Sequence, residues 1–242
     1  MDANTFAAVA GIFILAGTVK GISGMGLPTV AMSLLSIVLS PGAAAGLIVV
    51  PSLATNVLQC WGPFGRQLVR RLWPLWLCVF VGAWWSPLPP VDRASEARAL
   101  LGAVLLVYGA WGLFRPSLPS PGRHERWASP LVGYVSGVLT AATGVFVMPL
   151  TPYLQAMGLE RDQLVQALGI SFTICTIALA SRLAGETVAS ATLSWPGLAA
   201  LGASILGLGL GTRVRKRIDR AHFQRVLFAV FAILGAVMLA GV

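Results

Sequence analysis

Long runs of apolar residues, separated by short polar segments, dominate the chain. The runs cover about 5–22, 27–39, 43–62, 72–89, 98–114, 129–143, 145–157, 163–181, 192–211 and 223–241. A helix needs about 20 residues to cross a hydrocarbon core of about 30 Å, and most of the runs approach that length. A transmembrane barrel would instead alternate apolar and polar residues over about ten positions. The pattern predicts an all-α, polytopic transmembrane helical bundle.

Two of the runs are too short to cross a bilayer. Runs 27–39 and 145–157 each correspond to about 20 Å of helix. Each lies at a Gly- or Thr-containing break, in the segments ISGMGLP and TAATGVFVMP, and Gly26 and Gly144 occupy similar places in them. We therefore predict that each short run belongs to a helical hairpin with a glycine break at its turn. The lengths leave open whether a hairpin is re-entrant or crosses fully.

The recurrence of this break halfway along the chain indicates an internal repeat. In each half, a broken hairpin is followed by a turn and three long apolar runs. We predict one integral membrane domain built from two repeats, 1–118 and 119–242, each with a Gly-broken hairpin plus three full spans. An odd number of full spans in each half would insert the repeats with opposite orientations, as in many secondary transporters.

Charge placement predicts the orientation of these spans. Thirteen of the 17 cations lie in three loops or at the start of a span: Arg66, Arg70, Arg71, Arg115, Arg123, Arg126, Arg161, Arg213, Arg215, Lys216, Arg217, Arg220 and Arg225. Cytoplasmic loops of membrane proteins are enriched in Lys and Arg and attract anionic lipid. The basic loops are therefore predicted to be cytoplasmic in the cell inner membrane, with anionic lipid as a partner. Both termini are predicted to be periplasmic, and the first run is interpreted as a membrane segment, not a signal peptide.

Composition excludes several classes of protein. Apolar residues (AVILMFWYC) make up 57% of the chain and charged residues 10%, whereas soluble domains carry about 25% charged residues. The net charge of +9 is explained by basic cytoplasmic loops, so nucleic acid is not predicted as a partner. Cys60, Cys78 and Cys175 lie inside apolar runs without CxxC spacing, which favours packing residues over disulfides or metal ligands. No cofactor is predicted.

The two breaks are the candidate functional site. If the hairpins enter from opposite faces, their tips can meet near the midplane, where irregular backbone is tolerated only when it is buried or lines a cavity. We expect short helices to begin after Gly26 and Gly144 and to aim their N-termini at that cavity, which would favour an anion. The predicted substrate-binding residues are Lys20, Ser23, Gly24, Met25, Gly26, Thr55, Asn56, Thr140, Thr143, Gly144, Thr173 and Thr176.

Lys20 is the only ionisable residue well inside an apolar run, and such residues are usually functional. The alternative is that its side chain extends along the helix to an interface. A cation beside two positive helix ends would favour a small oxyanion over a metal cation. Thr55 and Asn56 share a helix face with Ser52 and Gln59, and Asn56 can both donate and accept. The alternative role for these polar residues is hydrogen bonding between helices.

The eight acidic residues are predicted to lie at termini or in loops: Asp2, Asp92, Glu96, Glu125, Glu160, Asp162, Glu186 and Asp219. His124 and His222 are also assigned to loops. A proton relay of buried carboxylates or histidines is therefore not expected, and a cation transporter is disfavoured. The chain contains no HExxH motif, Walker loop or convincing Ser-His-Asp set, so an enzyme is not predicted.

The motifs together resemble the TauE/SafE sulfite exporter family. The resemblance rests on the glycine break GISGMGLP, a turn with proline, the triplet Ala54-Thr55-Asn56 and the second copy TAATGVFVMP, and it covers almost the whole chain. It implies export of a small anion, such as sulfite, thiosulfate or a sulfonate, across the bacterial inner membrane. Alternating access is the expected mechanism. An anion channel and a non-transporting membrane scaffold are the alternatives, and a homodimer is left open.

Overall fold

The computed structural model describes residues 3–114, 118–183, 194–215 and 217–240, and within them the regular structure is helical. The α-helices are α1 (Ala3–Ser23), α2 (Leu27–Val38), α3 (Pro41–Cys60), α4 (Gly65–Trp84), α5 (Ala94–Phe114), α6 (Glu125–Thr143), α7 (Leu150–Ala156), α8 (Arg161–Arg182), α9 (Trp195–Val214) and α10 (Arg220–Leu239). A 3₁₀ turn at Gly122–His124 precedes α6. The predicted all-helical bundle is confirmed.

Six of these helices are long and apolar enough to cross a membrane by length and composition: α1, α3, α5 (from Ser95), α8, α9 and α10. The chain is thus a multi-pass membrane protein. Helix α4, expected to cross over 72–89, begins at Gly65 and ends at Trp84. Arg66, Arg70 and Arg71 in its first two turns make it less apolar than the other long helices. The prolines of the segment SPLPP follow its end and prevent its continuation.

The first break has the predicted form. Helix α1 ends at Ser23, and Gly24 and Gly26 take φ angles of 85° and 98°, in the left-handed region that favours glycine. Helix α2 starts at the next residue, Leu27, with Pro28 in its first turn, where a missing N–H costs little. A long helix and a 12-residue helix therefore form the first hairpin.

The second break differs from the prediction. Gly144 ends α6 with a φ of 69°, as expected, but the expectation that a helix starts directly after it is wrong. Residues 145–149 are irregular, and α7 begins only at Leu150 and has seven residues. A helix that started at Gly144 would need a hydrogen bond from the backbone N–H of residue 149, and Pro149 has no N–H. Val145 and Val147 are β-branched, which lowers the helix propensity of this segment further.

Glycines let three helix pairs approach closely. A Cβ added at Gly17 would overlap the carbonyl oxygen of Ser204, which joins α1 to α9. A Cβ at Gly137 would overlap the carbonyl of Val79, which joins α6 to α4, and one at Gly109 would lie 2.6 Å from Phe228 O, on α10. Small residues at such interfaces bring backbones into van der Waals contact, which stabilises helix association in lipid.

The pairing of helices follows a regular scheme. When α1–α5 are matched in order with α6–α10, the pair α1–α9 corresponds to α6–α4, and α4–α8 corresponds to α9–α3. The pairs α3–α8 and α5–α10 each correspond to themselves. A two-fold relation between the halves would produce this scheme. The repeat boundaries and the inverted orientation stay predictions.

The basic segments gather around the start of α8, and we call this region the basic end. Both Nε and Nη2 of Arg71 donate to the carboxylate of Glu125, each at 2.7 Å, and Nη2 also lies 3.5 Å from the carbonyl oxygen of Met157. Arg161 and Arg215 line one cavity there. Arg115, Lys216 and the side chain of Arg220 lie outside the described residues. Arg182, at the other end of α8, shares a cavity with Asp92 of the α4–α5 loop.

A substitution at Gly137 tests the glycine contacts. Gly137→Ala would force α6 away from Val79 on α4, and we expect a loss of about 1–3 kcal/mol of stability. The measurement is the melting temperature of the detergent-purified protein. Gly202→Ala is the matched control, because a Cβ there meets no atom within 4 Å and alanine favours the helix. Equal melting temperatures for the two variants would contradict the proposed role of the close contact.

Candidate functional site

Lys20 lies in the last turn of α1 and is buried, with 2% of its surface exposed. Its Nζ donates to Thr55 Oγ1 at 3.1 Å and to Asn56 Oδ1. Thr55 Oγ1 can accept because its own hydrogen points to the carbonyl oxygen of Pro51, at 2.8 Å. The side chain therefore crosses to α3 inside the bundle, and the alternative that it reaches an interface is wrong.

Donors without acceptors surround this contact. An ammonium group has three N–H donors, and in the described residues only two of those of Lys20 have partners. Asn56 is fully buried, its Oδ1 accepts from Lys20, and its amide Nδ2 has no hydrogen-bond partner among the described residues. Among the described residues no carboxylate pairs with Lys20. Buried unpaired donors are costly, so the arrangement favours an anionic acceptor between them.

Gln166 on α8 fixes the end of the helix that carries Asn56. Its Nε2 donates to the carbonyl oxygens of Cys60 (2.8 Å) and Gly62 (3.1 Å), and its Oε1 accepts from the N–H of Phe64 (3.1 Å). One buried amide thereby satisfies three backbone groups where α3 ends and the chain turns into α4. The sequence prediction missed this residue, although a glutamine near the start of the apolar run 163–181 was a visible signal.

The first break is held against α3. Gln59 Nε2 donates to the carbonyl oxygen of Gly24 at 2.8 Å. Ser23 Oγ lies 2.6 Å from Met25 O, to which it donates, and 3.3 Å from Met25 N, from which it accepts. Ser23, Gly24 and Met25 therefore lie near α3, the helix that contacts Lys20, and their role in a common site stays a prediction. Gly26, the last residue of the break, caps α2.

The second break contacts the first hairpin through Gly144. A Cβ added at Gly144 would lie 3.2 Å from Met32 Sδ, on α2. Thr143 Oγ1 donates to Leu139 O at 2.7 Å and accepts from Val145 N at 3.2 Å, so its hydroxyl closes the turn. The two broken segments are thus brought together through α2.

The hydroxyls of α8 are largely engaged by their own helix. Thr173 donates to Gly169 O at 2.8 Å, and Thr176 to Phe172 O at 2.7 Å. Thr173 Oγ1 also lies 3.3 Å from Cys60 Sγ on α3. No hydrogen bond joins Thr173 or Thr176 to Lys20 in the described part of the chain. Their role as substrate ligands stays a prediction.

Thr140 takes the place in the second half that Lys20 has in the first. Each lies three residues before the end of its helix. Lys20 contacts Thr55, 35 residues later, and Thr140 lies beside Cys175, which is also 35 residues later. Thr140 is fully buried, and its hydroxyl lies within hydrogen-bonding reach of the Cys175 thiol. The second half therefore presents a neutral counterpart to the Lys20 contact.

Two cavities lie at opposite ends of α8, one at the first break and the other beside Ala141, before the second break. One, of about 740 Å³, lies at the basic end, and we call it the basic-end cavity; the other, of about 280 Å³, we call the far-end cavity. The basic-end cavity contacts Ser23, Gly24, Met25, Gln59, Arg161 and Arg215, and the far-end cavity contacts Gly42, Val91, Asp92, Ala141, Leu179 and Arg182. Helix α8 has 22 residues, so its ends are separated by about 30 Å.

The described acidic residues Asp92, Glu160 and Asp219 lie in loops, in agreement with the prediction. The loop placement of Glu96, Glu125 and Asp162 is wrong, because each lies in the first turn of a helix, α5, α6 and α8 respectively. Asp2 and Glu186 lie outside the described residues. The placement of His222 in a loop is wrong, because α10 already begins at Arg220, and Asp219 caps it by accepting from Ala221 N at 2.9 Å. No group of three or more potential metal ligands occurs in the residues that were described.

Comparison with known proteins gives one match. The family model described as "Sulfite exporter TauE/SafE" matches residues 9–238, nearly the whole chain. No curated protein and no solved structure matches it.

The role of Gln166 can be tested by truncation. Gln166→Ala would leave Cys60 O, Gly62 O and Phe64 N without their partner, and we expect a loss of at least about 2 kcal/mol. The measurement is the melting temperature in detergent. Gln163→Ala on the same helix is the control: it removes one bond of the capping box at Glu160, worth about 1 kcal/mol or less. A Gln166 variant no less stable than the Gln163 variant would contradict this role.

Proposed function

Because the chain belongs to the TauE/SafE sulfite exporter family, a family of membrane transporters, we propose that it exports a small anion by alternating access. The substrate class is sulfite, thiosulfate, a sulfonate or a similar organic anion. The membrane is the cell inner membrane, with the basic end cytoplasmic and both termini periplasmic.

The observation that carries the proposal is the buried set of donors around Lys20. Lys20 and Asn56 are both buried, and in the part of the chain that the structure describes the third N–H of Lys20 and the amide Nδ2 of Asn56 have no acceptor. An anion bound there would supply the missing acceptors and the missing negative charge. On binding, the anion would accept charge-assisted hydrogen bonds from these two donors.

Backbone groups at the first break complete the proposed site. Helix α2 starts at Leu27, immediately after Gly26, and its first N–H groups have no partner within the helix. A helix start also carries a partial positive charge, which favours an anion. Ser23, Gly24 and Met25 line the basic-end cavity, so an anion entering there would meet the first break. Thr140, Thr143 and Gly144 are proposed to play the same part from the second hairpin.

The two cavities support alternating access. The larger one reaches the first break from the basic end, and the smaller one reaches Ala141, near the second break, from the far end. The far end is closed more tightly: the backbone N–H of Val91 donates to Ala141 O at 3.1 Å, and Val91 is 2% exposed. We propose that this conformation is open towards the cytoplasm. Breaking the Val91–Ala141 contact while the basic end closes would release the anion outside.

Anionic lipid is proposed to bind at the basic end. Arg70, Arg123 and Arg126 surround a cavity of about 520 Å³ together with Trp73, which is 56% exposed. Arginine heads beside an exposed tryptophan are typical of the interface between a membrane protein and charged lipid.

The alternatives from the sequence can be separated by flux measurements. A channel would give single-channel currents and a flux that does not saturate with anion concentration. A scaffold would move no anion in liposomes. Saturable anion flux without channel currents is the result expected of the proposed exporter.

Lys20→Met is the first test. The substitution removes the charge and the donors, so we expect anion flux through proteoliposomes to fall at least about tenfold. Arg93→Gln is the matched control, since that side chain is 67% exposed and its nearest acid, Glu96, is 3.9 Å away. Unchanged flux in correctly inserted Lys20→Met protein would rule out this site.

Gly26→Leu and Gly144→Leu test the two breaks. Both glycines have positive φ, and a side chain at Gly144 would also press on Met32. We expect both variants to lose transport, because a side chain would obstruct the approach of the anion to the backbone. Gly158→Leu is the control: it has the same φ of 69° as Gly144 but is exposed and meets no atom within 4 Å. Full transport in both break variants would disprove the role of the hairpin tips.

A further inference from the structure

The charge inventory of the buried site is small. Lys20 is the only buried Lys, Arg, Asp or Glu among the residues that the structure describes. Its two partners, Thr55 and Asn56, are neutral. When it is protonated, Lys20 supplies one positive charge inside the described part of the bundle.

The surrounding elements add little to that charge. The start of α2 contributes about half a unit of positive charge at most. The second half has Thr140 beside Cys175 where the first half has Lys20 beside Thr55, so its counterpart is neutral. Arg161, Asp162 and Arg215, which line the basic-end cavity, are exposed, and water screens them from a charge bound at Lys20.

From this inventory we infer that the Lys20 site selects singly charged anions over doubly charged anions of the same shape. This inference rests on the proposed function. A monoanion is fully compensated by the ammonium, whereas a dianion leaves a net negative charge in a region of low dielectric, which is strongly disfavoured. Within the proposed substrate class, hydrogensulfite and organic sulfonates fit the site, and sulfite and thiosulfate dianions do not.

The absence of a buried acid strengthens the selection. In the described residues no carboxylate competes with the substrate for Lys20. Among the described residues the third N–H of Lys20 and the amide Nδ2 of Asn56 have no acceptor, and the oxygens of one sulfonate group would supply two. The site therefore recognises a single oxyanion head that carries one negative charge.

Methanesulfonate and sulfate are suitable probes, because both have tetrahedral sulfur and their charges are fixed at −1 and −2 near neutral pH. The dissociation constant of each is measured by titration calorimetry on the full-length protein in detergent, at matched ionic strength. We expect methanesulfonate to bind roughly tenfold or more tightly than sulfate, since the second charge has no partner. Lys20→Met is expected to lose the methanesulfonate binding.

Asn56→Asp gives a second variant that does not depend on removing Lys20. The substitution is isosteric and places a carboxylate beside the ammonium of Lys20. This carboxylate would take the place of the bound anion as the counter-charge of Lys20. We expect it to fold and to lose methanesulfonate binding. Arg93→Gln, on the exposed loop, is expected to bind as the unmodified chain does.

The outcomes separate the inference from the function on which it rests. Sulfate binding as tightly as methanesulfonate, with both abolished by Asn56→Asp, would overturn the charge selection and leave the anion site in place. Binding of both probes that is unchanged in Lys20→Met and Asn56→Asp would place the site elsewhere and overturn the inference. No binding of either probe would count against the proposed function itself.

Discussion

The burial of one ammonium group constrains the bundle around it. Lys20 sits where α1 ends, and a charge so far from water needs oxygen atoms close to its nitrogen. Thr55 and Asn56 supply them, which requires α3 to lie beside the last turn of α1. Because neither Thr55 nor Asn56 is charged, their hydrogen bonds stabilise the ammonium of Lys20 without neutralising its charge. In the proposed site, an anion would supply the counter-charge of the protonated Lys20.

Close helix contacts make that placement rigid. Gly17 and Gly21 bring α1 against the backbone of α9, and Gly133 and Gly137 bring α6 against α4 in the corresponding pair. The frame is therefore built alike in both halves, but the groups it carries differ, with Lys20 in one half and Thr140 in the other. In the proposed site, both hairpins would approach the same anion, and the binding energy would come mainly from the first hairpin, which carries Lys20.

Much of this could be predicted from the sequence, because the relevant features are local. Gly24, Gly26 and Gly144 have positive φ angles, which is what glycine in a helix break favours. The position of Lys20 inside an apolar run indicated a candidate functional site. The contact between Lys20 and Asn56 could not be predicted, since it joins residues 36 apart on two helices. Both residues were predicted as ligands, but not as partners of each other.

The errors also have local physical causes. The start of α7 was predicted too early because the second break was expected to resemble the first, whereas Pro149 removes the N–H that an earlier start would need. Gln166 was missed because its three partners are backbone groups of another segment, which leave no mark on the sequence. The cavities depend on how several helix ends meet, and no single run of residues encodes them.

The location of a bound anion tests the central idea most directly. Iodide is a monoanion with a strong anomalous scattering signal, so a crystal of the protein grown with iodide would reveal its position. We predict an anomalous peak beside Lys20 Nζ and Asn56 Nδ2, in contact with the first hairpin break. A peak found only at Arg161 and Arg215, or only at the arginines around Trp73, would contradict an anion site in the interior of the bundle.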